Sequence, residues 1–235
     1  MDTHQPLQPD PPHRLNKYLA LQLGVSRREA DELIASGRVR VDDAVAELGQ
    51  RVSDESVITV DGDRLASGSV PYQYIALNKP VGYVSSRRQQ GTSPTIYSLL
   101  PQEYHVLKPV GRLDRDSSGL LLLTNDGDFA FSYTHPSFYK TKRYEVELDR
   151  PLEPLHQQMI SDYGVNLPDG PSKFIVSRID DSDRYEIVMH EGRNRQIRRT
   201  FDSLGYTVTT LHRTDFGPYA VSTLSSGKWQ LVDKR

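Results

Sequence analysis

At 235 residues with a formal net charge of −2, the chain suits one or two domains and has no overall basic character. No apolar run approaches the roughly 20 residues of a membrane span, and the absence of cysteine excludes disulfides and cysteine-ligated zinc. Residues 1–12 are polar and proline-rich without an apolar centre, which predicts a disordered tail rather than a signal or transit peptide and leaves the cytoplasm as the default location.

Charge is local. Residues 13–40 hold Arg14, Lys17, Arg27, Arg28, Arg38 and Arg40 against Glu29, Asp31 and Glu32, whereas residues 41–64 are acidic. Such locality is what binding to a polyanion requires. Leu15, Tyr18 and Leu19 repeat at helical spacing. Ser26 and Glu29 form a capping box ahead of a second helix that carries Ala30, Leu33 and Ile34 on one face and stops at Gly37. Arg38–Val41 alternates as a strand, Asp42-Asp43 is its turn, and Val57–Val60 is a second strand before Asp61-Gly62. Residues 13–65 are therefore expected to form a small domain, too small for much stability on its own core.

Residues 66–71, rich in Ser, Gly and Pro, read as a linker, and a second domain is expected over residues 72–235. Tyr74–Leu77 is a strand that ends at Asn78-Lys79-Pro80. The stretch from Arg87 to Pro94, with Arg88, Gln89 and Gln90, is expected to be a mobile polar loop. Next comes Gly111-Arg112-Leu113-Asp114-Arg115-Asp116-Ser117-Ser118-Gly119, followed by Leu120–Leu123. Four leucines bounded by Gly119 and Asn125-Asp126-Gly127 predict a strand buried on both faces. A short loop beside such a strand is a rigid mount for Asp114, and the flanking Arg112 and Arg115 would favour its ionised form. A calcium loop also begins with Asp-x-Asp, but it needs Glu at its twelfth position and helices on both sides. Here Asn125 stands there and a strand follows. A plain surface turn with solvated charges remains open on residue types alone.

Beyond this loop, Asp128–Tyr133 predicts a turn of helix stopped by His135-Pro136. Tyr144, Val146 and Leu148 alternate with charged residues as a half-buried strand, and Phe174–Val176 and Tyr185–Met189 are further strands. A helix over about 195–204 buries Ile197, Phe201 and Leu204, crowds Arg195, Arg198 and Arg199 on its exposed side, and ends at Gly205. Tyr206–Leu211 and Lys228–Val232 close the sheet. Strands outnumber helices and cluster in hairpin-like pairs, so the fold class is α+β, with a mostly antiparallel mixed sheet flanked by helices.

Gly-Arg-Leu-Asp at 111–114 with the leucine strand and Thr124-Asn125-Asp126-Gly127 resembles the signature of the RsuA/RluB/RluE/RluF family of RNA pseudouridine synthases. So do Leu77-Asn78-Lys79-Pro80-x-Gly82, Lys142-x-Tyr144-x-Val146 and Glu191-Gly192-Arg193-Asn194-Arg195-Gln196-Ile197-Arg198-Arg199, in the family's order. Residues 13–65 resemble the ribosomal-protein-S4-like RNA-binding domain found ahead of many such enzymes. The resemblance implies Asp114 as catalytic nucleophile, Tyr144 stacked on a flipped-out uracil, and Arg193 paired with Asp114. It implies Leu211 beside the base, and Lys79, Arg112, Arg195, Arg198 and Arg199 around the substrate or its phosphates. In the first domain Arg14, Lys17, Arg27, Arg28 and Arg38 would meet RNA. Ordinary core roles for Tyr144 and Leu211 stay open.

The activity so implied is isomerisation of one uridine in ribosomal RNA, without cofactor or metal. The Glu191-Gly192-Arg193-Asn194-Arg195-Gln196 helix start and the tail from Gly217-Pro218-Tyr219 to Trp229 resemble the large-subunit branch of the family more than the small-subunit one, which implies large-subunit RNA. The expected partner is a ribosomal RNA stem-loop, free or in an assembling subunit, met by a cytoplasmic monomer that does not engage membranes. Two other readings stay open: an RNA-binding protein that keeps the fold without catalysis, and a carboxylate-dependent hydrolase with Asp116 as second acid.

Overall fold

Residues 13–53, 55–66, 68, 70–87, 91–180, 183–221 and 223–235 are described in the computed structural model, and the chain divides into two units, Met1–Tyr72 and Gln73–Arg235. The expected tail over 1–12, the loop residues Arg88, Gln89 and Gln90, and Ser67 and Ser69 of the expected linker lie outside the described residues.

In the first unit, α1 (Leu15–Gln22) and α2 (Arg27–Ala35) pack on a four-stranded sheet of β1 (Val39–Val41), β2 (Ala44–Val45), β3 (Ile58–Val60) and β4 (Asp63–Arg64), in the order β2-β1-β3-β4. The capping box forms as the sequence predicts: the Ser26 hydroxyl accepts from Glu29 N at 3.1 Å, and Ser26 N donates back to the Glu29 carboxylate. Both hairpins turn on left-handed pairs, Asp42-Asp43 and Asp61-Gly62, whose positive φ angles match the twist of tight hairpins. Leu15, Leu19, Ala30, Ile34, Val39 and Ile58 form the centre of one small core.

In the second unit nine of the described strands make one mixed sheet. Its main path is β10 (Ile175–Arg178), β11 (Arg184–Met189), β7 (Lys142–Leu148), β12 (Val208–Phe216), β6 (Ser118–Thr124), β5 (Tyr74–Lys79) and β13 (Trp229–Leu231). The leucine run explains why the sheet can be covered on both sides. Leu121 and Leu123 enter a core with Ile75, Leu77, Tyr144, Ile187 and Phe201, while Leu120 and Leu122 enter a separate core with Ala76, Phe129, Tyr133 and Phe216. α3 (Gly127–Thr134), capped by the Asp126 carboxylate, belongs to the second layer, and α5 (Gln196–Ser203) belongs to the first.

All the main pairings are antiparallel except that of β6 with β12, which is parallel at Ser118–His212 and Arg213–Gly119. β12 runs on to Phe216, past the expected end at Leu211, because its antiparallel partner β7 continues alongside it to Lys142. Among the features not expected from the sequence, two lie between β7 and β10. One is α4 (Pro154–Gln158), which runs on as a π-helical turn over Met159–Tyr163. The other is the hairpin of β8 (Val165–Leu167) and β9 (Gly170–Ser172). The helix is too short to show an apolar period, with only Ile160 buried. The hairpin did carry a signal, Pro168-Asp169-Gly170, which is a turn sequence.

Gly119 is the tightest point of this architecture. Its φ is +104°, and a Cβ there would stand 2.2 Å from the carbonyl oxygen of Arg213 and 2.6 Å from its nitrogen. Gly119→Ala should therefore part the parallel seam. The expected cost is about 3 kcal/mol or more, a fall in Tm of roughly 6–12 °C by thermal melting. Gly127→Ala, where nothing lies within 4 Å of the added carbon, should melt close to the wild type.

Candidate active site

Between Gly111-Arg112 and β6, the backbone of residues 113–117 is held at every residue. Ser117 N donates to Asp114 O at 3.1 Å, closing a turn. The Ser85 hydroxyl donates to Leu113 O at 2.9 Å and accepts from Leu113 N at 3.2 Å. Gly82 N donates to Arg115 O at 2.7 Å. Arg198 Nη2 donates to Asp116 O at 2.8 Å. Lys79, at the end of β5, is 0% exposed, and its ammonium donates to Pro80 O (3.0 Å), Asp114 O (3.0 Å) and Ser117 O (2.6 Å). Burial pushes this lysine down to about 8, against the opposing pull of the Asp114 and Asp116 charges.

The Asp114 side chain remains accessible, at 35% exposure. It opens on a cleft of about 360 Å³ lined by Val84, Ser85, Ser86, Arg112, Leu113, Arg115 and Asn194. Its carboxylate oxygen Oδ2 stands 3.6 Å from Arg195 Nη1. The same guanidinium makes a closer, two-pronged pair with Asp116, Nη1 to Oδ1 and Nη2 to Oδ2, both at 3.0 Å. Arg198 Nε adds a contact to Asp116 Oδ2 at 3.3 Å. Burial would raise the Asp116 carboxyl, but the hydrogen bonds from Arg195 and the charges of Arg198 and Arg195 outweigh it and hold the group below the usual carboxylate range. A larger cleft of about 530 Å³, bounded by Tyr139, Phe174, Ile175, Met189 and His190, includes none of the expected site residues.

Several sequence expectations need correction. Among the described residues the arginine in ion-pair contact with the Asp114 carboxylate is Arg195, not Arg193. Arg193 is spent on the turn between β8 and β9: it donates to Asp169 O and Oδ1, to Gly170 O and to Pro171 O at 2.7–3.0 Å. Arg199 stays on the accessible side but is paired with both oxygens of Asp169, at 2.9 and 2.8 Å. Arg198, expected on an exposed face, is 12% exposed and donates to Val208 O. Lys79 is buried and so cannot face phosphate. The arginines next to Asp114 in sequence do not pair with it either. Arg115 reaches Ser93 Oγ, and Arg112 is exposed with no side-chain hydrogen bond or ion pair among the described residues.

Tyr144 and Leu211 are 7% and 8% exposed and share one core with Leu113, which also lines the Asp114 cleft. That placement suits the core role for both, and neither lines the cleft. In the first unit the side chains of Arg14, Arg27 and Arg28 are exposed and without a partner among the described residues. Arg38 is paired with Asp61, Nε to Oδ1 at 2.7 Å, and Lys17 is half-buried. Sequence reasoning missed Ser85 and Asp169, which hold the site without belonging to its motifs. Only Asp169 had a local signal, in its turn.

A model of RNA pseudouridylate synthases matches residues 73–203, which spans Lys79, the Asp114 loop and α5. The chain belongs to the RNA pseudouridylate synthase family. An S4 domain model matches residues 13–58, so the family's catalytic fold is preceded here by an S4 domain. The chain is 39% identical to ribosomal large subunit pseudouridine synthase B of Pseudomonas aeruginosa over 97% of its own length, and spans 62% of that relative. It is 33% identical to an uncharacterized RNA pseudouridine synthase of Aquifex aeolicus, covering 92% of this chain and 91% of that one. A crystal structure of a pseudouridylate synthase superposes with a TM-score of 0.65 at 29% identity, over 94% of this chain and 96% of the other.

The Lys79 clamp gives a direct test of how the loop is held. Lys79→Met keeps the bulk but removes every donor to the carbonyls of Pro80, Asp114 and Ser117. Amide exchange protection over residues 113–118 should fall by roughly tenfold or more, the worth of about 1.4 kcal/mol, measured by hydrogen–deuterium exchange. Protection in the paired strands β7 and β11 should stay unchanged.

Proposed function

We propose that this protein isomerises a specific uridine to pseudouridine in ribosomal RNA of the large subunit, with Asp114 as the attacking carboxylate. The observation that carries the reading is an accessible carboxylate on a loop whose backbone is pinned at every residue, in a chain of the pseudouridylate synthase family. The reaction breaks the bond from uracil N1 to ribose C1′ and forms one from C5 to C1′. N1 gains a proton and C5 loses one, so the atoms balance without redox chemistry or an added group. Asp114 serves whether the carboxylate adds to C1′, adds to uracil C6 or takes a ribose proton. A base in folded RNA must leave its stack to reach a cleft of this size. The large-subunit assignment rests on relatives such as the Pseudomonas aeruginosa protein, which carries that name.

The hydrolase alternative loses ground on Asp116. A second carboxyl acting as general acid needs a raised pKa, whereas Asp116 is held ionised by two arginines. We further propose that the first unit supplies phosphate affinity through Arg14, Arg27 and Arg28, and that a cytoplasmic monomer meets a stem-loop in free ribosomal RNA or an assembling subunit. No helix of the described residues is long and apolar enough to cross a membrane.

The deciding experiment uses ribosomal RNA labelled with tritium at uracil C5. Wild-type protein should release tritium from large-subunit RNA in preference to small-subunit or transfer RNA. Asp114→Asn should release none above background while keeping its melting temperature and RNA affinity, since a half-exposed carboxylate with one long ion-pair contact contributes only about 1 kcal/mol or less. Near-normal release by a folded Asp114→Asn protein would end the mechanism, and RNA binding without release by the wild type would favour the non-catalytic alternative.

The first unit is tested separately through salt. Arg27→Ala with Arg28→Ala should weaken RNA binding at every sequence. The plot of log affinity against log salt should flatten by about 0.7 to 0.9 for each phosphate that is no longer neutralised. Filter binding across a salt series reads both quantities, and an unchanged slope would remove these arginines from the interface.

A further inference from the structure

The larger cleft, of about 530 Å³, takes no part in the site around Asp114. Phe174 and Met189 are its buried lining, and Tyr139, Lys173, Ile175 and His190 are its exposed lining. Tyr139 is 74% exposed, and its ring has no ring or cation partner among the described residues. Yet its backbone is left-handed, with φ 47° and ψ 39°, at the end of a 3-10 turn over Pro136–Phe138. Glycine adopts that backbone freely, whereas a bulky residue there is strained. A strained residue with an exposed ring at the edge of a cleft fits a ligand clamp.

The charges point to the ligand. Lys140 lies over the Tyr133 ring and Lys173 donates to Asp162 O, but neither has a carboxylate partner among the described residues. Glu191, the one acid among the lining residues, is already taken by Gln196 and Arg193. An apolar lining, a flat exposed ring and unneutralised cations suit an unpaired nucleobase with its phosphates. An added peptide strand suits the cleft less well, because the outer edge of β10 is covered. Val176 N donates to Ser161 Oγ at 3.3 Å, and Val176 O accepts from Gln157 Nε2 at 2.8 Å. We propose that this cleft is a second RNA subsite, where an unpaired base stacks on Tyr139 while Lys140 and Lys173 meet its phosphates. The proposal rests on the reading of ribosomal RNA as substrate.

The cleft is tied to the Asp114 site through the backbone. His190 Nδ1 lies 3.2 Å from Tyr139 O, and Lys142 donates to His190 O at 3.2 Å. Arg195, which reaches Asp114, follows His190 by five residues. Five residues span at most about 18 Å, so the stacked base should lie within a few nucleotides of the target.

The test is filter binding of large-subunit ribosomal RNA, transcribed in vitro, across a salt series. Tyr139→Gly should weaken binding by roughly 5- to 100-fold, the worth of one stacked base. Its salt slope should not change, because no phosphate contact is lost. Its Tm should equal or exceed that of the wild type, because glycine relieves the left-handed backbone. A purely structural tyrosine would give the opposite, a lower Tm with unchanged affinity. Tyr139→Asn should behave like Tyr139→Gly, and Tyr139→Phe should bind like the wild type. Lys140→Ala with Lys173→Ala should flatten the slope by about 0.7 for each phosphate no longer neutralised.

Removing bases one at a time from the fragment that the protein protects from nuclease then locates the occupant. One abasic position should weaken wild-type binding as much as Tyr139→Gly does, and should not weaken Tyr139→Gly further. Tyr139→Gly protein that binds as tightly as wild type, or the lack of any abasic position coupled to it, would overturn the subsite. A loss seen only with assembling subunits, and not with naked RNA, would overturn it in favour of a protein partner. RNA bound without tritium release would end the isomerase reading and leave this test standing, whereas a wild type that binds no RNA would end both.

Discussion

A buried ammonium without a carboxylate in contact organises the catalytic unit. Lys79 has no water-facing surface, and its charge is balanced by three backbone carbonyls, two of them from the 114–117 turn. An isolated buried charge is costly, so the fold is favoured only when those carbonyls converge on it. That requirement converts a surface turn into a fixed platform and ties it to the end of β5. The negative ends of the carbonyl dipoles point inward at Lys79, which leaves the Asp114 side chain to face the cleft.

A second lysine acts in the same way on the facing side. Lys142, at the start of β7, donates to His190 O at 3.2 Å and Glu191 O at 3.3 Å, and burial pushes it down to about 8 as well. Those carbonyls begin the turn that leads through Arg193 to Arg195. Two strands of one sheet thus each carry a terminal lysine, Lys79 fully and Lys142 partly buried, and each lysine holds one of the two segments that meet at Asp114, Asp116 and Arg195. Between them β6 and β12 run in parallel with no room for a side chain at Gly119, so the spacing of the two segments follows from backbone contact rather than from flexible side chains.

Much of this was legible in the sequence where the signal is local. The leucine run, the capping box, the Asp-rich turns and the loop carrying Asp114 each depend on neighbours within a few residues. The arginines between 193 and 199 show where local reading stops. Spacing alone does not say that Arg193 turns away to Asp169, because Asp169 lies on a hairpin 24 residues earlier. Nor does it say that Arg195 takes a left-handed backbone that swings its side chain to the loop, since arginine has no preference for that conformation. Motif order identified the family, whereas the choice among neighbouring arginines is made by tertiary contacts.

Those contacts also bear on how a chain with a net charge of −2 would meet a polyanion. The arginine-rich start of α5 looks like an RNA-binding face, yet Arg193 and Arg199 are held by Asp169, and Arg195 and Arg198 by Asp116. Four arginines and two aspartates form two nearly self-contained clusters whose role is to fix geometry. The remaining charge follows the placement of partners rather than composition. At the cleft, the Arg112 side chain is exposed and unpaired among the described residues, and in the first unit Arg14, Arg27 and Arg28 are in the same condition. Phosphate attraction through free cations would then draw on positions such as these, while the denser basic segment is tied up in ion pairs around Asp114, Asp116 and Asp169.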